Sequence, residues 1–399
     1  MPSSRAGSED IRTGAANKSS QMARDAPNQE AQVTTRERFV NVLTGKPADR
    51  VPFMKVFGGA NAIKPHWEDE YPGIGGCIDE LLQFEGRHRG WDRTLVNMDP
   101  SQLLPVEVLE ETETRIVRRR GDGTVEQIQK GGDYNRHDIG WPINSMDDWR
   151  EYNARHMQAD DPSRFPENWD EYVEEYRDRD YPLQLTHRGV YGFCRNRMGD
   201  ENLAYAFYDQ PELVHAMMED YTSMAIELWE KQVAVIQFDL IECWEDMAYN
   251  SGSLISPATF REFMTPQYRR IREFADAHDI PIVLVDSDGY IDDLTELMLE
   301  GGVSAMYPYE VQCGSDAAAV LRRYPDIGCV GGLDKQCMAR GRDAIDAEIE
   351  RARGLIEMGR FIPGPDHFVL SDVDFAGYRY FMEQLREVCL TTVPGCNAP

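Results

Sequence analysis

Carboxylates crowd the ends of the apolar runs in this chain, and one imidazole stands at such an end. The run closing at Ile241 continues Glu242-Cys243-Trp244-Glu245-Asp246. A glutamate flanked by Cys and Trp is poorly placed for hydration. Burial beside an aromatic raises a carboxyl pKa in the way a general acid requires, so Glu245 is a catalytic candidate. Val283-Leu284-Val285 runs into Asp286-Ser287-Asp288-Gly289. Strand alternation puts Asp286 and Asp288 on one side, where they repel unless a proton, a cation or a metal lies between them. A calcium loop is excluded, because the third acidic position and the closing glutamate are absent.

Further along, Tyr307-Pro308-Tyr309-Glu310 adds an acid and two phenols, Gly331-Gly332-Leu333-Asp334-Lys335 pairs a carboxylate with an ammonium, and Ile362-Pro363-Gly364-Pro365-Asp366-His367 ends in the best-placed imidazole. His187, after Thr186, is its one competitor. These residues divide into expected roles. His367, Asp288, Glu245 and Asp334 are the catalytic candidates. Lys55, His187, Arg195, Arg197, Tyr307, Glu310, Lys335 and Asp366 are the substrate-binding candidates. Glu242, Asp286, Asp288 and His367 are the metal set, whose oxygen and nitrogen donors suit a divalent cation, zinc or a harder ion. A hydrogen-bonded acidic network without metal is the open alternative.

Eight apolar runs must position these groups: 49–58, Thr94–Met98, Leu183–Thr186, Val235–Glu242, Ile282–Asp286, Val303–Tyr307, Ile327–Gly331 and Arg360–Pro363. Helical patterns follow at Pro211–Lys231, Ser256–His278, Asp292–Glu300 and Ala344–Met358. Short buried strands alternating with helices demand parallel pairing, and eight such units predict a (β/α)8 TIM barrel with its reactive groups at the C-terminal strand ends. Thr34 or Thr35 should cap a first helix ending at Gly45. Residues 105–180 break the rhythm. Two β-rich stretches flank Gly121-Asp122-Gly123, a hairpin signature, so this region is expected to be an insertion or lid between early strands. Residues 1–33 are expected to be a disordered tail, 34–390 the barrel, and 391–399 a C-terminal tail.

Of 399 residues, 41% are hydrophobic, enough for a large core, and 70 Asp and Glu against 42 Lys and Arg leave a formal charge of −28. That field repels phosphate backbones and excludes nucleic acid as a partner; it also disfavours an anionic membrane, and no apolar run approaches the roughly 18 residues of a spanning helix. Eight scattered cysteines without a C-x-x-C pair, and no apolar signal-peptide core, predict a cytoplasmic protein.

Residues 34 to 390 resemble the uroporphyrinogen decarboxylase superfamily, which includes cobalamin-linked methyltransferases. The resemblance rests on Thr35-Arg36-Glu37-Arg38, Leu43-Thr44-Gly45 and Asp49-Arg50-Val51-Pro52, on Leu254-Ile255-Ser256-Pro257 with Phe260-Arg261-Glu262-Phe263 and Pro266, and on Gly331-Gly332-Leu333-Asp334. It implies the barrel, a homodimer, and methyl transfer or decarboxylation. The decarboxylase branch carries arginines after the first strand; here Met54-Lys55-Val56-Phe57-Gly58 has none, which argues against haem-pathway chemistry. The methyltransferase branch holds zinc through His-x-Cys and a distant Cys, and the corresponding positions are Asp286, Asp288 and His367. The expected function is activation of a small methylated substrate at an acidic, metal-binding mouth, with a corrinoid on a partner protein. The alternative is a decarboxylase or other lyase acting on a small carboxylic acid.

Overall fold

Thr34 caps the first helix, Thr35–Leu43, through a capping box with Glu37, and the helix buries Phe39, Val42 and Leu43. The computed structural model describes residues 33–131 and 136–396; the expected disordered tail, save Val33, lies outside them. Seven parallel strands form the main sheet in strict chain order: Asp92–Arg93, Leu183–His187, Leu240–Trp244, Ile282–Asp286, Ala305–Tyr307, Gly328–Leu333 and Phe361–Pro365. Their residues are nearly all buried, as expected of parallel strands covered on both faces. Register aligns Trp244 with Asp286 and Asp286 with Tyr307, while Thr186 aligns with Glu242. Aligned residues of parallel strands share a face, so Glu242, Trp244, Asp286 and Tyr307 all project to one side near the C-terminal ends.

The expected first strand is not a strand. Pro52 has no N–H to give a ladder, and Val56 takes a left-handed φ of 51°. The backbone bonds instead run to the loop at 85–89: Glu85 N donates to Phe53 O at 2.8 Å, and Val56 N to Arg89 O at 2.7 Å. The segment still abuts the last strand, because a Cβ on Gly364 would lie 2.7 Å from Val56 Cγ2. The second strand begins and ends earlier than expected, and has two residues.

Helices follow the strands. Pro211–Val233 packs Leu213, Met217, Tyr221, Leu228 and Trp229 inward. The helix expected at 256–278 runs unbroken over Pro257–Ala277 but is not α-helical throughout. A π-helical turn, Phe260–Met264, precedes Thr265–Ala277; Pro266 lacks an N–H, and the Thr265 N–H reaches back to Phe260 O. Between the first two strands the chain forms a four-stranded antiparallel sheet, Glu107–Glu111, Arg115–Arg119, Val125–Gln129 and Arg136–Gly140, followed by the helices Met146–His156 and Trp169–Arg177. The turn at 121–123 joins its middle hairpin. After the last helix, Phe375–Thr391, the chain packs back, with Gly395 N donating to Ile356 O at 3.1 Å. Among the described residues no helix is long and apolar enough to cross a membrane.

Candidate active site

A cavity of about 300 Å3 opens at the C-terminal ends of the first four strands. Its wall includes Gln184, Thr186, Glu242, Trp244 and Asp286 from strands, Arg188 and Asn196 from the segment after the second strand, and His88, Arg89 and Arg93 from the chain around the first. Buried Tyr307 and Asp286 meet half-buried Glu242 at its floor. The Tyr307 hydroxyl hydrogen-bonds Glu242 Oε1 and lies 2.9 Å from Asp286 Oδ2. Arg89 Nη1 donates to the same phenol oxygen at 2.7 Å and to Asp286 Oδ2 at 3.2 Å. Burial pushes Asp286 up to about 8, Arg89 opposes the shift and Glu242 adds to it. The phenol has one proton for two carboxylate oxygens; a protonated Asp286 relieves the shortfall by donating to the phenol oxygen, which also accepts from Arg89, while the phenol proton goes to Glu242. Burial would lower Arg89, but Tyr307, Asp286 and Glu242 outweigh it and hold the guanidinium charged.

Phe57 joins this floor to a second cluster. Its ring lies 6.1 Å from that of Tyr307 and 4.9 Å from that of His367, with the Arg89 guanidinium 4.8 Å above it. There Asp288, Glu310 and His367 bring one ligand atom each to within 4.8 Å of one another. His367 Nε2 sits 3.2 Å from Asp288 Oδ2. Burial raises Asp288, yet the hydrogen bond and charge of His367 outweigh it and hold it below the ordinary carboxylate value; His367 is raised in turn against its own burial. Two carboxylates and an imidazole are a donor set suited to a divalent cation of hard or borderline character.

The structure redistributes the residues expected from sequence. The expected metal set splits: Asp288 and His367 stay together with Glu310, whereas Glu242 and Asp286 share Tyr307. Glu245 is no cavity acid. Its carboxylate accepts from the backbone N–H groups of Val190, Tyr191 and Gly192 at 2.7, 2.8 and 2.9 Å and from the Tyr268 hydroxyl. It caps the helix Val190–Met198, which leaves no lone pair free for a substrate. Gly189 permits this approach, since its φ is 80° and a Cβ would lie 2.1 Å from Trp244 O. Asp334 likewise caps the turn Lys335–Arg340, accepting from Gln336 N at 2.9 Å and from Arg340.

Among the expected substrate cations, Lys55 bonds Asp79. Arg195 donates to Asp246 O at 2.5 Å and to Asp246 Oδ2 at 3.2 Å. Arg197 is packed over Phe193 near Asp122. Lys335 is buried between Glu310 and Asp366, at 3.8 and 3.4 Å, beside the second cluster, and Asp366 accepts from Val311 N and Lys335 N. The His187 ring packs against Tyr221 and Trp229, with neither nitrogen hydrogen-bonded and burial pushing it down to about 3. Alternation explains this, because His187 aligns with the core residue Cys243, on the opposite side from Thr186 and Glu242. His187 still borders the cavity beside Arg188, whose guanidinium holds Asp99 through two bonds of 2.9 and 2.6 Å. Arg89, Arg93 and Arg188 were missed from sequence; the available signal was Gly86-Arg87-His88-Arg89-Gly90, a basic turn just before a strand.

The uroporphyrinogen decarboxylase (URO-D) family model matches residues 195–388. Among solved structures, a methyltransferase from Methanosarcina mazei is similar with a TM-score of 0.56 at 15% identity, covering 89% of this chain and 99% of that one. A putative vitamin-B12 independent methionine synthase from Listeria monocytogenes has a TM-score of 0.33 at 14% identity, covering 54% of this chain and 69% of that one, too low to carry an argument. No curated protein matches. Residues 195–388 thus match the uroporphyrinogen decarboxylase family, and the likeness to the 15%-identical methyltransferase shows a shared fold.

Proposed function

We propose that this chain is a methyltransferase-like enzyme that activates a small methylated substrate in the cavity above Asp286, Tyr307 and Glu242. The observation that carries the reading is the Tyr307 hydroxyl placed between the buried carboxyl of Asp286 and the half-buried one of Glu242 at the cavity floor, with Arg89 bracing it. Breaking a bond from a methyl group to oxygen or nitrogen leaves a heteroatom that needs a proton. Asp286 supplies it, and Tyr307 and Glu242 restore the hydrogen-bond set once Asp286 is ionised. Asp288, Glu310 and His367 would hold a divalent cation, which as a Lewis acid would polarise the substrate heteroatom. The methyl acceptor in this reading is a corrinoid on a partner protein. The segment 51–57 would occupy the eighth place of a closed barrel, beside the last strand, and the 105–180 insertion would serve as a lid. Cytoplasmic location and a homodimer belong to the same proposal.

The arginines of the cavity favour a second reading, a carboxy-lyase in which a substrate carboxylate leaves as carbon dioxide and Asp286 protonates the carbon. Incubating the protein with small methylated compounds and cob(I)alamin, and separately with small carboxylic acids, distinguishes the two. Methylcobalamin formation supports the first, carbon dioxide release the second. Equal turnover by wild type and Asp286→Asn contradicts both.

A further inference from the structure

The protein carries a formal charge of −28, yet one cavity wall gathers Arg89, Arg93 and Arg188. Two of these already have partners: Arg188 holds Asp99 and Arg89 holds Asp286 and Tyr307. Arg93 differs. Among the described residues no carboxylate stands within ion-pair distance of it, and its guanidinium takes part in no side-chain hydrogen bond. Register aligns Arg93 with Gln184, and both line the cavity. An arginine left without an acid in so acidic a chain, at the rim of a cavity, offers its planar fork to an anion from solution.

The surroundings narrow that anion. Asp99, Glu242 and Asp286 line the same cavity, so a phosphate dianion meets about twice the repulsion that a monoanion does. The fork geometry matches a planar carboxylate. A volume of about 300 Å3 lies at the low end of the roughly 300–1,000 Å3 of small-ligand sites, too small to enclose a macrocyclic poly-acid. The turn preceding Arg93 is built for display: His88, also on the cavity wall, is held at a left-handed φ of 51° between Gly86 and Gly90.

We propose that the cavity binds a small organic monocarboxylate, with Arg93 taking the carboxylate at the rim and the rest of the molecule directed to the floor of Tyr307, Asp286 and Glu242. This deepens the proposed function and rests on its placing of the active site in this cavity.

Isothermal titration of the full chain tests it with acetate, butyrate, benzoate and phenylacetate, each against its own amide, and with inorganic phosphate. At least one acid should bind at one per chain, tenfold or more tighter than its amide and than phosphate. Arg93→Met should weaken that acid at least tenfold at an unchanged thermal midpoint, and Arg93→Lys, which keeps the charge but not the fork, should restore only part of the affinity. The inference is overturned if no acid outbinds its amide, if phosphate binds as well as the best acid, or if Arg93→Met binds like wild type. Turnover of a neutral methylated compound with no carboxylate binding would sink this inference alone. Carboxylate binding that persists while Asp286→Asn turns over at the wild-type rate would sink the proposed function instead.

Discussion

The Tyr307 hydroxyl lies 2.9 Å from Asp286 Oδ2 and also bonds Glu242, so one phenol joins two carboxylates that come from different strands. Removing that oxygen leaves Glu242 without its donor and Asp286 without its acceptor. Tyr307→Phe should therefore lower turnover by roughly 10²-fold, the lower end of what a positioned proton-transfer group contributes. It should also destabilise the fold by about 1–3 kcal/mol through the unpaired buried groups. Steady-state rates and urea unfolding on the same preparation check both; a variant with wild-type turnover would remove Tyr307 from the chemistry.

The second cluster makes a prediction about metal. Asp288, Glu310 and His367 converge, while Glu242 is engaged by Tyr307. Equilibrium dialysis with zinc or manganese should show one ion per chain. Asp288→Ala and His367→Ala should weaken it at least tenfold, and Glu242→Gln should leave it within about twofold, because Glu242 neither belongs to the cluster nor hydrogen-bonds a member of it. Strong loss in Glu242→Gln would restore the ligand set first suggested by the sequence.

Glu245 holds the first turn of the helix Val190–Met198 through three backbone N–H groups. Glu245→Ala should cost roughly 2–4 kcal/mol, since a cap and a buried charge-assisted network are lost together. The rate per folded molecule should stay near wild type. A folded variant with abolished turnover would reinstate Glu245 as a catalytic acid.

His187 gives a pH signature. In the fold it stays neutral, pushed down to about 3 by burial, whereas in the unfolded chain it takes a proton below about 6.5. The unfolded state therefore binds more protons between those values. The His187 contribution is constant above about pH 6.5 and falls as pH drops toward 3, by on the order of 1 kcal/mol per unit. His187→Phe, which keeps the aromatic packing, should flatten that slope in unfolding curves measured from pH 7 to 5. An unchanged slope would mean the imidazole is protonated in place.

Much of the frame was legible in the sequence. Ile282–Asp286 reads as a buried parallel strand because its apolar run is unbroken, and the strand-end rule brings Asp288 and His367 together from almost eighty residues apart. The first strand failed because Val51–Phe57 is apolar like a strand, while Pro52 and the left-handed Val56 deny it a ladder. Glu245 misled for a related reason. A carboxylate beside Cys and Trp looks like a poised acid, and its backbone donors lie more than fifty residues earlier in the chain. The cavity arginines were hidden because Arg188 lies just past the strand end at His187, and because Arg89 and Arg93 sit in and beside a glycine-flanked basic turn outside any periodic element.

The most direct test of the account compares wild type with Asp286→Asn in a methyl-transfer assay. Small methylated carboxylic acids serve as donors, free cob(I)alamin as acceptor, and methylcobalamin is followed by its absorbance. The account predicts methylcobalamin from at least one donor with wild type, and a rate at least 10²-fold lower with a folded Asp286→Asn. Methylcobalamin formed equally by both proteins, or by neither with any donor, would contradict it.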